Sequence, residues 1–184
     1  AACYEVRIDL PEEERLDYAI ASMDDRYRIA ATSPVKIPVI QHLMRKHAGE
    51  PTLIIGQYLD QIDQVADALK LQKITGETPV DERERLFQAF REGSIGALVV
   101  SKVANFSIDL PEASVAIQMS GSYGSRQEEA QRLGRVLRPK ADGRTASFYT
   151  LIARDTVDQD FAQNRQRFLA EQGYSYEILD SHEF

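Results

Sequence analysis

Apolar and polar positions alternate along this chain in two rhythms, short apolar runs and longer amphipathic stretches. From Pro51 the two take turns. Thr52-Leu-Ile-Ile-Gly is a β-branched run suited to a strand buried on both faces. Tyr58–Leu69 sets Ile62, Val65, Ala66 and Leu69 on one side, the spacing of an amphipathic helix. Gln72-Lys-Ile-Thr-Gly is a second short strand. Thr78-Pro-Val-Asp opens a helix, with threonine as cap and proline in the first turn. That helix buries Leu86, Phe87 and Phe90 and stops at Gly93. Ala97-Leu-Val-Val-Ser and Val115-Ala-Ile-Gln-Met are the third and fourth strands, and Thr145–Leu151 is the fifth. A last helix, opened by Asp155 or Thr156, runs over about Val157–Ala170. Strand and helix alternating at this spacing predict a three-layer α/β domain with a mainly parallel sheet flanked by helices.

Upstream, Tyr4–Leu10 alternates apolar and polar residues, as a short strand or extended lead-in would. Pro11-Glu-Glu-Glu starts a helix running to about Ala31, with its acids in the first turn. Pro34 interrupts. A second helix, about Val35–His47, places Ile37, Ile40, Leu43 and Met44 on one face and ends in basic residues before Gly49. His42 and His47 read as surface or rim histidines. Residues 1–33 are therefore assigned to a connector and helix that precede the domain, and 34–184 to the domain itself. The pattern leaves open whether the first segment packs on the domain.

The richest chemistry lies between Gly124 and Pro139. Read as a helix, this stretch sets Gln131, Arg135 and Arg138 on one side at i, i+4 and i+7. Ala130, Leu133, Val136 and Leu137 face the other way, toward a core. Ser125 can cap the start, with Glu128 completing a capping box, and Pro139 prevents continuation. Guanidinium groups in a row present forked, permanently charged donors, as binding a polyphosphate requires. Gly134 allows a ligand or another backbone to come close. A solvated basic helix face is the competing reading.

Composition narrows the options. An apolar fraction of 43% and a charged fraction of 28% are those of a globular protein. A net charge of −7 argues against coating nucleic acid with the whole surface. A local basic groove remains available, because Arg126, Arg132, Arg135, Arg138, Lys140 and Arg144 cluster. No apolar run is long enough for a membrane span, and the first residues show no secretory pattern. A single cysteine, Cys3, fits a reducing compartment. The expected location is the cytoplasm or nucleoid, or the nucleus in a eukaryote. Three histidines and one cysteine, scattered, offer no metal cluster. There is no Gly-x-x-x-x-Gly-Lys-Ser/Thr phosphate loop, and Asp81-Glu82 follows Thr-Pro-Val at a helix start, where capping explains it. Alone, the chain is expected not to hydrolyse ATP.

Three stretches carry a family resemblance. Thr52-Leu-Ile-Ile-Gly-Gln-Tyr resembles motif IV of superfamily 2 helicases. Val99-Val-Ser-Lys-Val-Ala-Asn-Phe-Ser-Ile-Asp-Leu-Pro-Glu-Ala resembles motif V. Ser125-Arg-Gln-Glu-Glu-Ala-Gln-Arg-Leu-Gly-Arg-Val-Leu-Arg resembles motif VI. Ser125–Ala130 and Arg165-Gln-Arg-Phe-Leu-Ala-Glu-Gln-Gly-Tyr-Ser-Tyr narrow the likeness to the C-terminal RecA-like lobe of XPB helicases. The chain departs from that family at Ala104-Asn105-Phe106-Ser107, where Gly-Asp-Thr-Ser is usual, and at Gln57 and Tyr58.

The resemblance implies an ATP-dependent 3′–5′ DNA helicase or translocase in nucleotide-excision repair or transcription. ATP and Mg²⁺ would be held mainly by an N-terminal lobe of the same protein. Arg135 and Arg138 would be arginine fingers, and Gln131 would lie near the phosphates or the attacking water. Gly134, Arg132 and Asp109 would border the nucleotide, Asp109 at the ribose. Arg132 could equally pair with Glu128 or Glu129, and Asp109 could simply end a turn. Ser101 and Lys102 sit just past a strand's C-terminal end, where α/β proteins place ligand contacts. With Gln57, they would meet DNA phosphates. Repair or transcription factors, or a nuclease, would be partners. Two other readings are a RecA-like binding or scaffold module without catalysis, and a small-molecule enzyme on a doubly wound sheet. The second lacks a dinucleotide motif and a nucleophile–base pair.

Overall fold

The structure, a computed structural model, describes residues 2–101, 112–120 and 137–184. Among them seven strands form one sheet: β1 (Ala2–Ile8), β2 (Thr52–Gly56), β3 (Gln72–Ile74), β4 (Ala97–Ser101), β5 (Val115–Gln118), β6 (Ser147–Ala153) and β7 (Ser175–Asp180). All pair in parallel, in the order β3-β4-β2-β5-β6-β1-β7. The helices are α1 (Glu12–Ile20), α2 (Met23–Thr32), α3 (Lys36–Lys46), α4 (Leu59–Leu69), α5 (Val80–Glu92) and α6 (Val157–Glu171).

Alternation along each strand sends successive side chains to opposite faces. On one face Ile54, Val99, Ile117, Tyr149 and Val6 meet Ile40 and Leu43 of α3 and Ile62 and Val65 of α4. On the other, Leu53, Ile55, Leu98 and Val100 meet Leu86, Phe87 and Phe90 of α5, while Cys3, Ala116 and Phe148 pack with Leu169 of α6. Every residue of β2, β4, β5 and β6 is buried, which is why these runs read as continuous apolar stretches. The expected three-layer α/β architecture is present.

Several details differ from the sequence expectation. The helix expected over residues 11–31 is two. Ala21 is extended, with φ −76° and ψ 156°, and the Ser22 hydroxyl accepts the Asp25 N–H at 3.3 Å, so a new N-cap restarts the helix. Thr78 does not cap α5; its hydroxyl accepts the Thr75 N–H at 2.9 Å, holding the turn before the helix. Strand β7 is an addition, edge-paired and largely open to solvent, which hides its alternation. The segment before Pro34 supplies β1, which sits between β6 and β7. Its α2 packs against α6.

Candidate functional site

Parallel strands bring all their C-terminal ends to one edge of the sheet. Gly56 at the end of β2 is registered with Ser101 at the end of β4, and Ile55 with Gln118 of β5. Gln57 and Ser101 therefore stand on neighbouring strand ends. Gln57 is half-buried, and Ser101 is buried. Helix α4 opens at the same edge, where the Gln61 N–H of its first turn donates to Asp60 Oδ1 at 3.0 Å. Beside it Arg28 lies 5.2 Å over the Tyr58 ring and pairs with Asp60. A cavity of about 400 Å³ is lined by Asp24, Asp25, Tyr27, Arg28 and Tyr58.

Arg138 occupies the opposite edge. Leu137 bridges Ala113, and the Arg138 N–H donates to the Ala113 carbonyl at 3.0 Å, just ahead of β5. Its guanidinium pairs with Glu112 at 2.8 Å, and both side chains are more than half exposed. The structure thus brings Gln57 and Ser101 together and sets Arg138 a strand's length away, about 13 Å for four residue steps. Lys102, Asp109, Gln131, Arg132, Gly134 and Arg135 lie outside the described residues, as does the expected helix from Gly124 to Val136. Among the described residues no group of three His, Cys, Asp or Glu could hold a metal ion. None of the described helices is long and apolar enough to cross a membrane.

Two buried polar clusters escaped the sequence reading. At the N-terminal edge His47, expected at the surface, is 7% exposed. Its Nδ1 lies 2.7 Å from Glu50 and its Nε2 2.6 Å from the Tyr149 hydroxyl. Glu50 also pairs with Arg144 at 2.9 Å and Lys140 at 3.5 Å. The cluster ties the end of α3 to the turn that follows Arg138. That turn is closed by the Gly143 N–H to the Lys140 carbonyl, with Gly143 at φ +84°. Desolvation pushes the Glu50 carboxyl up, but the His47 hydrogen bond and the two cations outweigh it and hold it below its ordinary value. Burial raises the Tyr149 hydroxyl.

At the C-terminal edge the Lys36 ammonium is wholly buried, 2.9 Å from Asp158. Burial lowers its pKa against the pull of that carboxylate. A signal for both clusters was present. Lys36, Ile40, Leu43 and His47 recur at helical spacing on the apolar face of α3, where a polar residue is buried by position.

Burial lowers the His47 pKa below 6.5, outweighing the hydrogen bond to Glu50. As pH falls below about 6.5 the unfolded chain takes up a proton that the folded imidazole resists, so stability drops between pH 7 and 5. His47→Gln is expected to narrow that drop, read as the difference between urea midpoints at the two pH values. An equal difference in both proteins would reject it. His182, raised by Asp9, acts in the opposite sense but is common to both.

Comparison with known proteins gives this geometry a lineage. The model of the ERCC3/RAD25/XPB C-terminal helicase family matches residues 1–183. The chain belongs to the XPB family. The DNA 3′-5′ helicase XPB of Kineococcus radiotolerans is 65% identical over 98% of this chain. The XPB helicase of Mycobacterium tuberculosis is 58% identical over the same share. The Drosophila melanogaster XPB, a helicase/translocase subunit of general transcription and DNA repair factor IIH, is 36% identical over 96%. This XPB-type chain covers 32%, 33% and 23% of those relatives' lengths. Among solved structures, the C-terminal domain of the DEAD-box protein Dbp5 superposes with a TM-score of 0.74 at 14% identity, covering 98% of this chain and 91% of that one. Escherichia coli SrmB, a DEAD-box protein, gives 0.69 at 17%, covering 96% and 89%. These likenesses give the XPB domain the RecA-like fold of helicase C-terminal lobes.

Proposed function

We propose that this chain is the second motor lobe of an ATP-dependent 3′–5′ DNA helicase or translocase. The observation that carries the reading is the motif Gln131-Arg-Leu-Gly-Arg-Val-Leu-Arg138 inside a domain of the XPB family. In this reading Arg135 and Arg138 meet the γ-phosphate of ATP across a cleft, where fixed guanidinium groups stabilise the charge of phosphoryl transfer. Gln131 orients near the phosphates, while Gly134, Arg132 and Asp109 border the nucleotide. A first lobe supplies the phosphate loop and the carboxylates for Mg²⁺, neither of which this sequence contains.

Gln57, Ser101 and Lys102 contact the DNA backbone at the C-terminal strand edge. Such contacts grip a strand without reading its sequence. Nucleotide-dependent closing and opening of the two lobes turns alternating grip into movement. The work is nucleotide-excision repair, transcription or both, performed in the cytoplasm or nucleoid, or the nucleus in a eukaryote, with repair or transcription factors or a nuclease as partners.

The test compares this 184-residue chain with the complete protein. The complete protein is expected to hydrolyse ATP with stimulation by DNA and to displace a strand in the 3′–5′ direction. The chain alone is expected to do neither and to regain ATP turnover when a matching first lobe is added. A complete protein without DNA-stimulated turnover overturns the reading.

A further inference from the structure

Lys36 brings a charge into the interior at a place where an apolar residue would continue the face of α3. Its three ammonium hydrogens match three acceptors from three separate elements. These are the Ala31 carbonyl near the end of α2 at 3.3 Å, the Met119 carbonyl just beyond β5 at 2.8 Å, and Asp158 Oδ2 in the first turn of α6 at 2.9 Å. The same Asp158 oxygen accepts the Ala153 N–H at the end of β6 at 3.1 Å. The acceptors therefore converge from α2, β5 and α6, and the carboxylate reaches β6 as well.

Met119 is held from other sides too. Its N–H donates to the Ile55 carbonyl at 2.9 Å. Its methyl occupies the room that Gly56 leaves, since a Cβ at Gly56 would lie 2.4 Å from Met119 Cε and 3.0 Å from Ile62 Cγ1. Met119 and Ser120 lead directly into residues 121–136, the stretch that bears Gln131 and Arg135.

We propose that Lys36 is a positioning residue for the arginine-bearing segment, its ammonium fixing the Met119 carbonyl from which that segment departs. Cohesion alone does not require this charge, because a buried ion pair is often replaceable by apolar residues of similar volume without loss of stability. What an apolar pair lacks is a donor aimed at one carbonyl. The inference rests on the proposed role of Arg135 and Arg138 in turnover.

The experiment uses the complete protein carrying Lys36→Met together with Asp158→Leu. This pair removes both charges and keeps the volume. DNA-stimulated kcat is expected to fall about tenfold or more, with the KM for ATP changed less than about twofold, as misplacement of catalytic groups produces. Exchange of the Met119 and Ser120 amides should quicken by about the same factor, because the strand end loses its tether. Wild-type kcat in a folded double variant overturns the proposal, and so does unchanged exchange at both amides.

Should the double variant not fold, Gly56→Ala displaces Met119 from the opposite side. A lower kcat at constant KM then supports the proposal, and an unchanged kcat overturns it. Arg135→Ala and Arg138→Ala run alongside. If neither lowers turnover, the arginine reading has failed, and the amide exchange still judges the tether by itself.

Discussion

Arg138→Ala in the complete protein is expected to lower DNA-stimulated ATP turnover by about 10³-fold, or roughly 4 kcal/mol of transition-state stabilisation. Arginines supplied to a transferring phosphoryl group have effects of this size because the charge they meet develops only in the transition state. The surroundings of Arg138 suit such a role. Its main chain is anchored by the hydrogen bond to Ala113 and the bridge from Leu137, while its guanidinium is more than half exposed. The only ion pair described for it, with Glu112, is open to water, and exposed pairs contribute about 0–1 kcal/mol. The head can therefore exchange Glu112 for a phosphate while its base stays fixed. DNA binding without nucleotide should persist in the variant. Steady-state turnover with and without DNA, together with fluorescence anisotropy of a labelled strand, measures both. Turnover within about twofold of wild type would remove Arg138 from the reaction.

Lys36→Met alone is expected to destabilise the 184-residue chain by about 3–5 kcal/mol, the usual cost of leaving one partner of a buried ion pair without the other. Asp158 is 3% exposed, and among the described residues its carboxylate keeps the Ala153 N–H once the ammonium is gone. The variant also removes the ammonium donor from the Met119 carbonyl, while the Ala31 carbonyl keeps the Gln61 Nε2 donor at 2.8 Å. Combining it with Asp158→Leu should restore most of the loss, because the stranded carboxylate is removed. Urea unfolding of the wild-type chain and the two variants gives the three free energies. A loss below about 1 kcal/mol for the single variant would mean that the carboxylate finds water or another partner when Lys36 is removed.

Much of the fold was legible because the central strands are uniformly apolar and the helices between them are amphipathic. Ile54, Val99 and Ile117 could hardly face anything but a core. The strands at the far side of the sheet were harder. The alternation of β7 is masked by its open edge, and β1 precedes the recognisable domain by a long helical segment although its partners come last in sequence. The placement of Gln57 and Ser101 at one edge of the sheet was legible because parallel strands end together. The buried environments of Lys36, His47 and Asp158 were not, because each satisfies its polar groups with partners far away in sequence. Asp158 near a helix start is fully explained as a first-turn acid until Lys36 is seen beside it. A lysine and a histidine on the apolar face of one helix were the available clue, and charge alone suggested solvent.

The place of β1 has a consequence for how the chain comes to be folded. Ala2 pairs with Ser147 on one side and Ser175 on the other, so β1 is completed by β6 and β7, the last two of the described strands. Chains emerge N-terminus first and slowly compared with local folding. The seven residues of β1 must therefore wait, both edges bare, until β6 and β7 have left the ribosome. Closing so large a loop delays the sheet's completion, while β2, β4 and β5 can pair earlier. The centre of the sheet is free to assemble during synthesis, and its β6-β1-β7 side closes only once β7 has emerged.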